Sequence, residues 1–323
     1  MKACVTGAAG FIGGHLAEAL LRDGHQVVGL DDFSSGKRET SALLGKSVRF
    51  SMVEGTLADP LDVARAVRGA NVVFHLAAIP SVPLSVTQPE RTTAVNVGGT
   101  VNVLEAARKA GAKRVVLACS CAAYGDGPEQ PKHEKLLPRP TSPYAAQKIA
   151  CELLAQTWTR VYGLPCVALR FFNVYGPRQD PASEYAAAVP RFATRLLSGE
   201  RPIVFGDGLQ TRDFVHVSDV VRAQLLAAES ERAVGEVINV ASGRSSSLLD
   251  LIAALKAAIG RDAAGLQIEH QPPRAGDLRA SSADIAKARD LLGFEPRVSL
   301  EEGLGSVVEF FRGPYDAIES ISA

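Results

Sequence analysis

Positive charge is not in surplus in this sequence. Lysine plus arginine total 35, and aspartate plus glutamate also total 35. With no net basic field, broad binding to nucleic acid or anionic lipid is excluded, and any recognition of phosphate has to be local. Cysteine is scarce and its number, five, is odd, which suits a reducing compartment better than a disulfide framework. Cys119 and Cys121 form a C-x-C, but Cys4, Cys151 and Cys166 add no zinc spacing, so no metal is expected. No segment approaches the roughly 18 uninterrupted apolar residues of a membrane span. The opening MKACVTGAAGFIGG has too short an apolar run for a signal peptide. Internal repeats and low-complexity tracts are absent too. The expectation is a soluble, cytoplasmic protein without a membrane or nucleic-acid partner.

What is present is ample core: 46% of the 323 residues are hydrophobic and 22% are charged. The first half alternates between two periods. Short β-branched runs occur at Lys2–Thr6, Gln26–Leu30, Val72–Leu76, Val115–Ala118 and Cys166–Arg170. Between them lie helical patterns at Gly13–Arg22, Pro60–Arg68, Val95–Ala110 and Tyr144–Tyr162. The fold class is therefore α/β, a doubly wound parallel sheet, with strands apolar enough to be buried on both faces. Beyond residue 170 the pattern is irregular, with helices at Ala187–Leu197, Val217–Ala228, Ser247–Ile259, Ser282–Leu292 and Leu300–Phe311. This reads as a nucleotide-binding domain over 1–170 and a smaller C-terminal substrate-binding region over 171–323. Val237–Val240 is a candidate to return to the main sheet, and Arg178–Glu184 is the sharpest linker candidate.

The first strand runs into TGAAGFIGGHL, where Gly7, Gly10 and Gly13 precede a helix. Glycines allow a tight turn and let the backbone approach a pyrophosphate, and the helix N-terminus offers unpaired N–H groups. Asp31 ends the second strand, where an acid accepts adenosine ribose hydroxyls and repels a 2′-phosphate. A dinucleotide follows, NAD rather than NADP. A glycine-rich turn of purely structural purpose explains the glycines but not the acid. Further on, TSPYAAQKIAC puts Tyr144 and Lys148 one helical turn apart. Alone, that spacing is an ordinary helical pair. With the cradle present, and Ser120 at the end of a strand whose carboxyl end faces the same crevice, a catalytic phenol is the better reading. A tyrosine with an ordinary pKa near 10 is a poor base, and a neighbouring ammonium favours its ionised form. Tyr124 has no lysine four residues on and reads as structural; His75, in an apolar strand, reads as a packed core histidine.

The G-x-x-G-x-x-G spacing with Tyr144-x-x-x-Lys148, HLAA at 75–78, NVGGT at 96–100, Ser120 and RFFNVYGP at 170–177 resembles the extended short-chain dehydrogenase/reductase family, whose core is a Rossmann fold. The resemblance implies that Lys148 also holds the nicotinamide ribose and that Asn96 helps to seat the cofactor. It further puts Phe11, Ile12, Asp32, Thr56, Leu57, Leu76, Ala77 and Ala78 around it. The segments GDGLQTRDFVHV and PPRAGDLRASSAD supply Arg212, Arg274 and Asp277, and two arginines on separate loops suit a diphosphate. Together with NVYGPRQDP and YAAAVPRF they are similar to nucleotide-sugar 4-epimerases, particularly bacterial UDP-N-acetylglucosamine 4-epimerases. On matching positions Asn173 would contact diphosphate and sugar, Arg212 and Arg274 the diphosphate, Asp277 the uridine ribose, and Ile203 and Phe205 the uracil. Ser81, Ala187 and Ser281 would line the sugar box, and Val189 would also bind the substrate. Ser281 stands where hexose-restricted epimerases carry a tyrosine. Thr56 departs from the family's aspartate near the adenine, and Pro80 from the glycine of the N-acetylhexosamine members. The implied protein is a homodimeric, NAD-dependent 4-epimerase of a UDP-sugar, either UDP-GlcNAc/UDP-GalNAc or UDP-Glc/UDP-Gal. The alternatives are a sugar-nucleotide dehydratase, a UDP-glucuronate-processing enzyme and a non-catalytic NAD sensor.

Overall fold

A computed structural model describes residues 1–181, 187–273 and 278–313. Six strands come first: β1 (Lys2–Thr6), β2 (Gln26–Asp31), β3 (Phe50–Glu54), β4 (Val72–His75), β5 (Arg114–Ser120) and β6 (Cys166–Phe171). The short strands β7 (Asn173–Tyr175), β8 (Ile203–Phe205), β9 (Thr211–Arg212) and β10 (Phe214–His216) follow. After them come β11 (Val237–Val240), β12 (Ser246–Ser247), β13 (Glu269–Gln271) and β14 (Ala280–Ser281). The main sheet has seven strands in the order β3-β2-β1-β4-β5-β6-β11, all parallel.

Side-chain alternation explains how the sheet is covered on both faces. Ala3, Val5, Phe74, Val116, Val167 and Leu169 point to one core, against Leu16 and Leu20 of the helix Phe11–Arg22 and Val220 of the helix Val217–Glu229. Cys4, Val73, Val115, Leu117, Cys166 and Ala168 point to the other, against Val63, Val103, Leu104 and Ala155 of the helices Pro60–Val67, Gly99–Lys109 and Pro143–Tyr162. Each large side chain so buried contributes about 1.5–3 kcal/mol. A third core, around Tyr175, Phe192, Leu196, Leu251, Leu255 and Leu304, holds the C-terminal helices together.

Two expectations need correcting. β3 and the helices Arg38–Leu44, Val82–Thr87 and Pro89–Thr93 were not expected. β3 is an edge strand that buries none of its side chains fully, so FSMVE lacks the apolar run of its neighbours. The other three are short, and two of them are rich in Pro, Val and Thr. The helix expected over Val95–Ala110 is divided: Ala94–Gly98 is a π-turn that leads into Gly99–Lys109. The C-terminal strand Val237–Val240 does join the sheet, beside β6. Of the linker candidate, residues 182–184 lie outside the described residues.

Candidate active site

The strand order reverses between β1 and β4, and their carboxyl ends open a crevice there. Gly7 follows β1 with φ +73°, and a Cβ on it would lie 2.9 Å from the Ala77 nitrogen just past β4. A Cβ on Gly13 would lie 2.0 Å from the Gly7 carbonyl oxygen, so the helix enters the turn in a contact only glycine allows. At the end of β2, Asp31 accepts the Ala9 N–H on Oδ2 and the Phe33 N–H on Oδ1, both at 2.9 Å. Burial raises its pKa while those two N–H groups oppose the rise. Each carboxylate oxygen retains a lone pair for a ribose hydroxyl. The glycine cradle and this acid fit a dinucleotide of the NAD type.

Tyr144 and Lys148 sit in the first turns of Pro143–Tyr162, a helix started by Ser142, whose side chain accepts the Ala145 N–H, and by Pro143, and ended by Gly163 at φ +67°. The Tyr144 N–H is held from outside the helix by the fully buried Ser85 Oγ at 3.0 Å. Lys148 donates to the Ala118 carbonyl at 2.9 Å, and its Nζ lies 6.0 Å from the centre of the Tyr144 ring. Burial works against the ammonium, but Tyr144, Cys151, Cys119 and Glu152 outweigh it and its pKa stands above the ordinary value. A persistent cation beside the phenol is what a phenolate base requires. Glu152, one turn further on, grips Arg170 of β6 through two bonds of 2.7 and 2.8 Å, both partners buried, and pins this helix to the sheet. Ser120 Oγ accepts the Ala122 N–H at 3.2 Å, which leaves its O–H to donate into the crevice.

A first cavity of about 490 Å³ collects these groups. Of the cofactor candidates, Gly7, Gly10, Phe11, Ile12, Gly13, Asp31, Asp32, Leu57, Leu76, Ala77 and Ala78 line it, as do Ser120, Tyr144, Lys148 and Ala187. Thr56 and Asn96 do not. Thr56 faces its own turn, where its Oγ1 accepts the Ala58 N–H and its N–H reaches Asp62. Asn96 is buried; it accepts the Ile79 N–H and donates to the Ile79 carbonyl and to Gln147, so it braces the wall at Ile79 and Pro80 from behind. His75 is spanned by the hydroxyls of Thr6 and Thr100, and burial, with the charge of Lys148, lowers its pKa to about 3. Tyr124 is buried and donates to Asn239.

A second cavity, of about 670 Å³, shares Val174 and Ala187 with the first. Asn173, Val189, Ile203, Phe205 and Arg212 line it. Ser81 does not; it caps the helix Val82–Thr87 by accepting the Leu84 N–H, and Val82 and Pro83 face the cavity instead. Ser281 does not line it either; it is buried and pairs in register with Arg212 through β14 and β9. Arg274 and Asp277 lie outside the described residues. Sequence reasoning overlooked Arg191, which faces this cavity from within the quoted YAAAVPRF, and Arg178, Gln179, Asp180 and Lys37 on the first. The described lining of the second cavity thus carries two arginines and no carboxylate, a setting for a nucleotide diphosphate.

The fold and site define a dinucleotide-dependent enzyme with a second, arginine-lined cavity beside the cofactor crevice. Residues 3–241 match the model of the NAD dependent epimerase/dehydratase family, and the chain belongs to that family. A UDP-glucose 4-epimerase of Mycolicibacterium smegmatis is 44% identical over 97% of this chain and 99% of its own. Among solved structures, a UDP-N-acetylglucosamine 4-epimerase of Methanobrevibacter ruminantium, in complex with UDP-N-acetylmuramic acid, is 38% identical with a TM-score of 0.91, covering 96% of this chain and 98% of that one. A UDP-glucose 4-epimerase of Thermotoga maritima with UDP-glucose is 40% identical with a TM-score of 0.90, covering 97% and 99%. Among the described residues no helix is long and apolar enough to cross a membrane.

Proposed function

We propose that the chain is an NAD-dependent 4-epimerase of a UDP-sugar, an isomerase, acting on UDP-GlcNAc and UDP-GalNAc. The observation that carries the reading is the junction of the two cavities at Val174 and Ala187. A sugar tethered through its diphosphate in the second reaches Tyr144 and Ser120 in the first. When bound, NAD supplies the hydride acceptor and donor, so no net oxidation results. Tyr144, with the Lys148 ammonium beside it, takes the proton from O4, and the Ser120 hydroxyl steadies that oxygen. Arg212, with Arg274, keeps the diphosphate in place while the 4-keto sugar turns its other face. Tyr144 then returns the proton.

Dehydratase chemistry needs an acid just after the serine. Here Cys121 and Ala122 stand there, and Cys121 lines neither cavity. Burial, with Asp213 adding to it, pushes its thiol up to about 12, which makes it a poor proton donor. The acetamido preference rests on the resemblance that sets Ser281 in place of a tyrosine; Ser281 lines neither cavity itself but pairs with Arg212, which lines the second. A homodimer is supported by the helix Pro143–Tyr162, which leaves Leu153, Val161 and Tyr162 exposed. The decisive experiment is incubation with UDP-GlcNAc, UDP-Glc and UDP-glucuronate, read by proton NMR. C4 epimers alone are expected; a 4-keto-6-deoxy or decarboxylated product would overturn the assignment.

A further inference from the structure

The segment Pro177–Asp180 is fastened on both sides of the cofactor cavity. Toward the cradle helix, the Pro177 carbonyl lies 2.9 Å from His15 Nε2, and Arg178 Nη2 donates to Glu18 at 2.6 Å and meets His15 Nδ1 at 2.7 Å. Arg178 holds this position at φ +67°, a conformation that costs a non-glycine residue energy and is kept only where surrounding contacts impose it. Burial, reinforced by the Arg178 charge, lowers the pKa of His15 to about 3, so it serves this junction as a neutral ring. Toward the acid loop, Asp180 Oδ2 meets Lys37 Nζ at 2.9 Å. Lys37 in turn donates its backbone N–H to the Ala9 carbonyl in the cradle at 2.9 Å. The contacts run from Ala9 through Lys37, Asp180 and Arg178 to the cradle helix, and so back to Ala9. All of these except His15, Glu18 and Pro177 line the cavity.

We propose that the Lys37–Asp180 pair is a clasp that closes this ring over the dinucleotide and slows its escape. The proposal rests on the cofactor being NAD but not on which sugar is turned over. Retention suits a reaction in which the hydride removed must be returned to the same substrate. The pair is half-exposed, with 46% and 34% of the side chains accessible, so it is accessible to salt and its residues are replaceable without opening a core.

The test uses the purified holoenzyme. Bound NAD is chased with excess etheno-NAD and its exit followed by fluorescence, with NAD content measured after acid release. Asp180→Lys, which sets two ammonium groups together, should speed exit about tenfold. The double exchange Lys37→Asp with Asp180→Lys should restore the rate to within about threefold of the parent. Molar salt should accelerate exit from the parent but not from the Lys37→Ala, Asp180→Ala double variant. UDP affinity should be the same throughout. An unchanged exit rate in Asp180→Lys, or a charge exchange as fast as the single variant, overturns the clasp. A parent protein that neither carries nor takes up NAD overturns the cofactor assignment on which it rests.

Discussion

The glycine cradle yields a prediction with its own internal control. In Gly13→Ala the new Cβ would lie 2.0 Å from the Gly7 oxygen and 2.7 Å from the Gly7 carbon, both backbone atoms. Relief requires the Gly7 carbonyl and the helix start to separate by more than about 1 Å, since ordinary contacts begin near about 3.5 Å. That carbonyl also accepts the Gly10 N–H at 3.0 Å, so the turn that presents the N–H groups opens with it. Overpacking of this kind costs about 1–3 kcal/mol, and charged against cofactor binding it is roughly 5- to 150-fold in affinity. Gly14→Ala adds the same methyl one residue later, but there its nearest neighbour is the Thr40 Cγ2 at 2.7 Å, the end of a side chain, and the nearest backbone atom, the Ala8 oxygen, is at an ordinary 3.5 Å. The assay is NAD content of the purified proteins together with the NAD dissociation constant of the stripped forms. Gly13→Ala should lose NAD and Gly14→Ala should keep most of it. Equal affinity in the two variants would refute the reasoning, because only the backbone clash distinguishes them.

Tyr144→Phe keeps the ring and deletes the ionisable oxygen, so kcat should fall by about 10²–10⁴-fold with UDP binding preserved; turnover near the parent's would remove the tyrosine from the chemistry. Ser281→Tyr should lower the ratio of kcat/KM for UDP-GlcNAc over UDP-Glc about tenfold or more, and an unchanged ratio means that Ser281 does not gate the sugar box. His75, neutral and buried, has a pKa lowered from 6.5 to about 3. Between those values the unfolded chain binds the proton and the folded one does not, so His75 makes stability fall as pH falls through that window. In urea unfolding from pH 7 to pH 4, His75→Gln should show a shallower loss, by up to one proton in slope; an equal slope would mean the ring titrates normally.

Local rules were enough for much of this protein. The strands β1, β2, β4, β5 and β6 are legible because a sheet covered on both faces needs apolar side chains at consecutive positions, and that demand is written into each segment separately. Gly7, Gly10, Gly13 and Asp31 were legible for the same reason: each sits at a junction of strand and helix whose backbone permits few residue types. The edge strand β3 escaped because it has a neighbour on one side only and was never required to be apolar. What depends on a partner far along the chain could not be read in advance. Asn96 stands in the string NVGGT, yet its turn toward Ile79 and Gln147 follows from the packing of three separate segments. The meeting of Lys37 with Asp180, of Ser85 with the Tyr144 N–H, and of two cavities at Val174 and Ala187 arises in the same way. By itself the sequence determined the sheet apart from β3, the cradle and the helix that carries Tyr144 and Lys148, since those are periodic or short-range features. The tertiary structure alone decided which side chains face the crevice and which brace it, because that choice belongs to contacts between residues 51 to 143 positions apart.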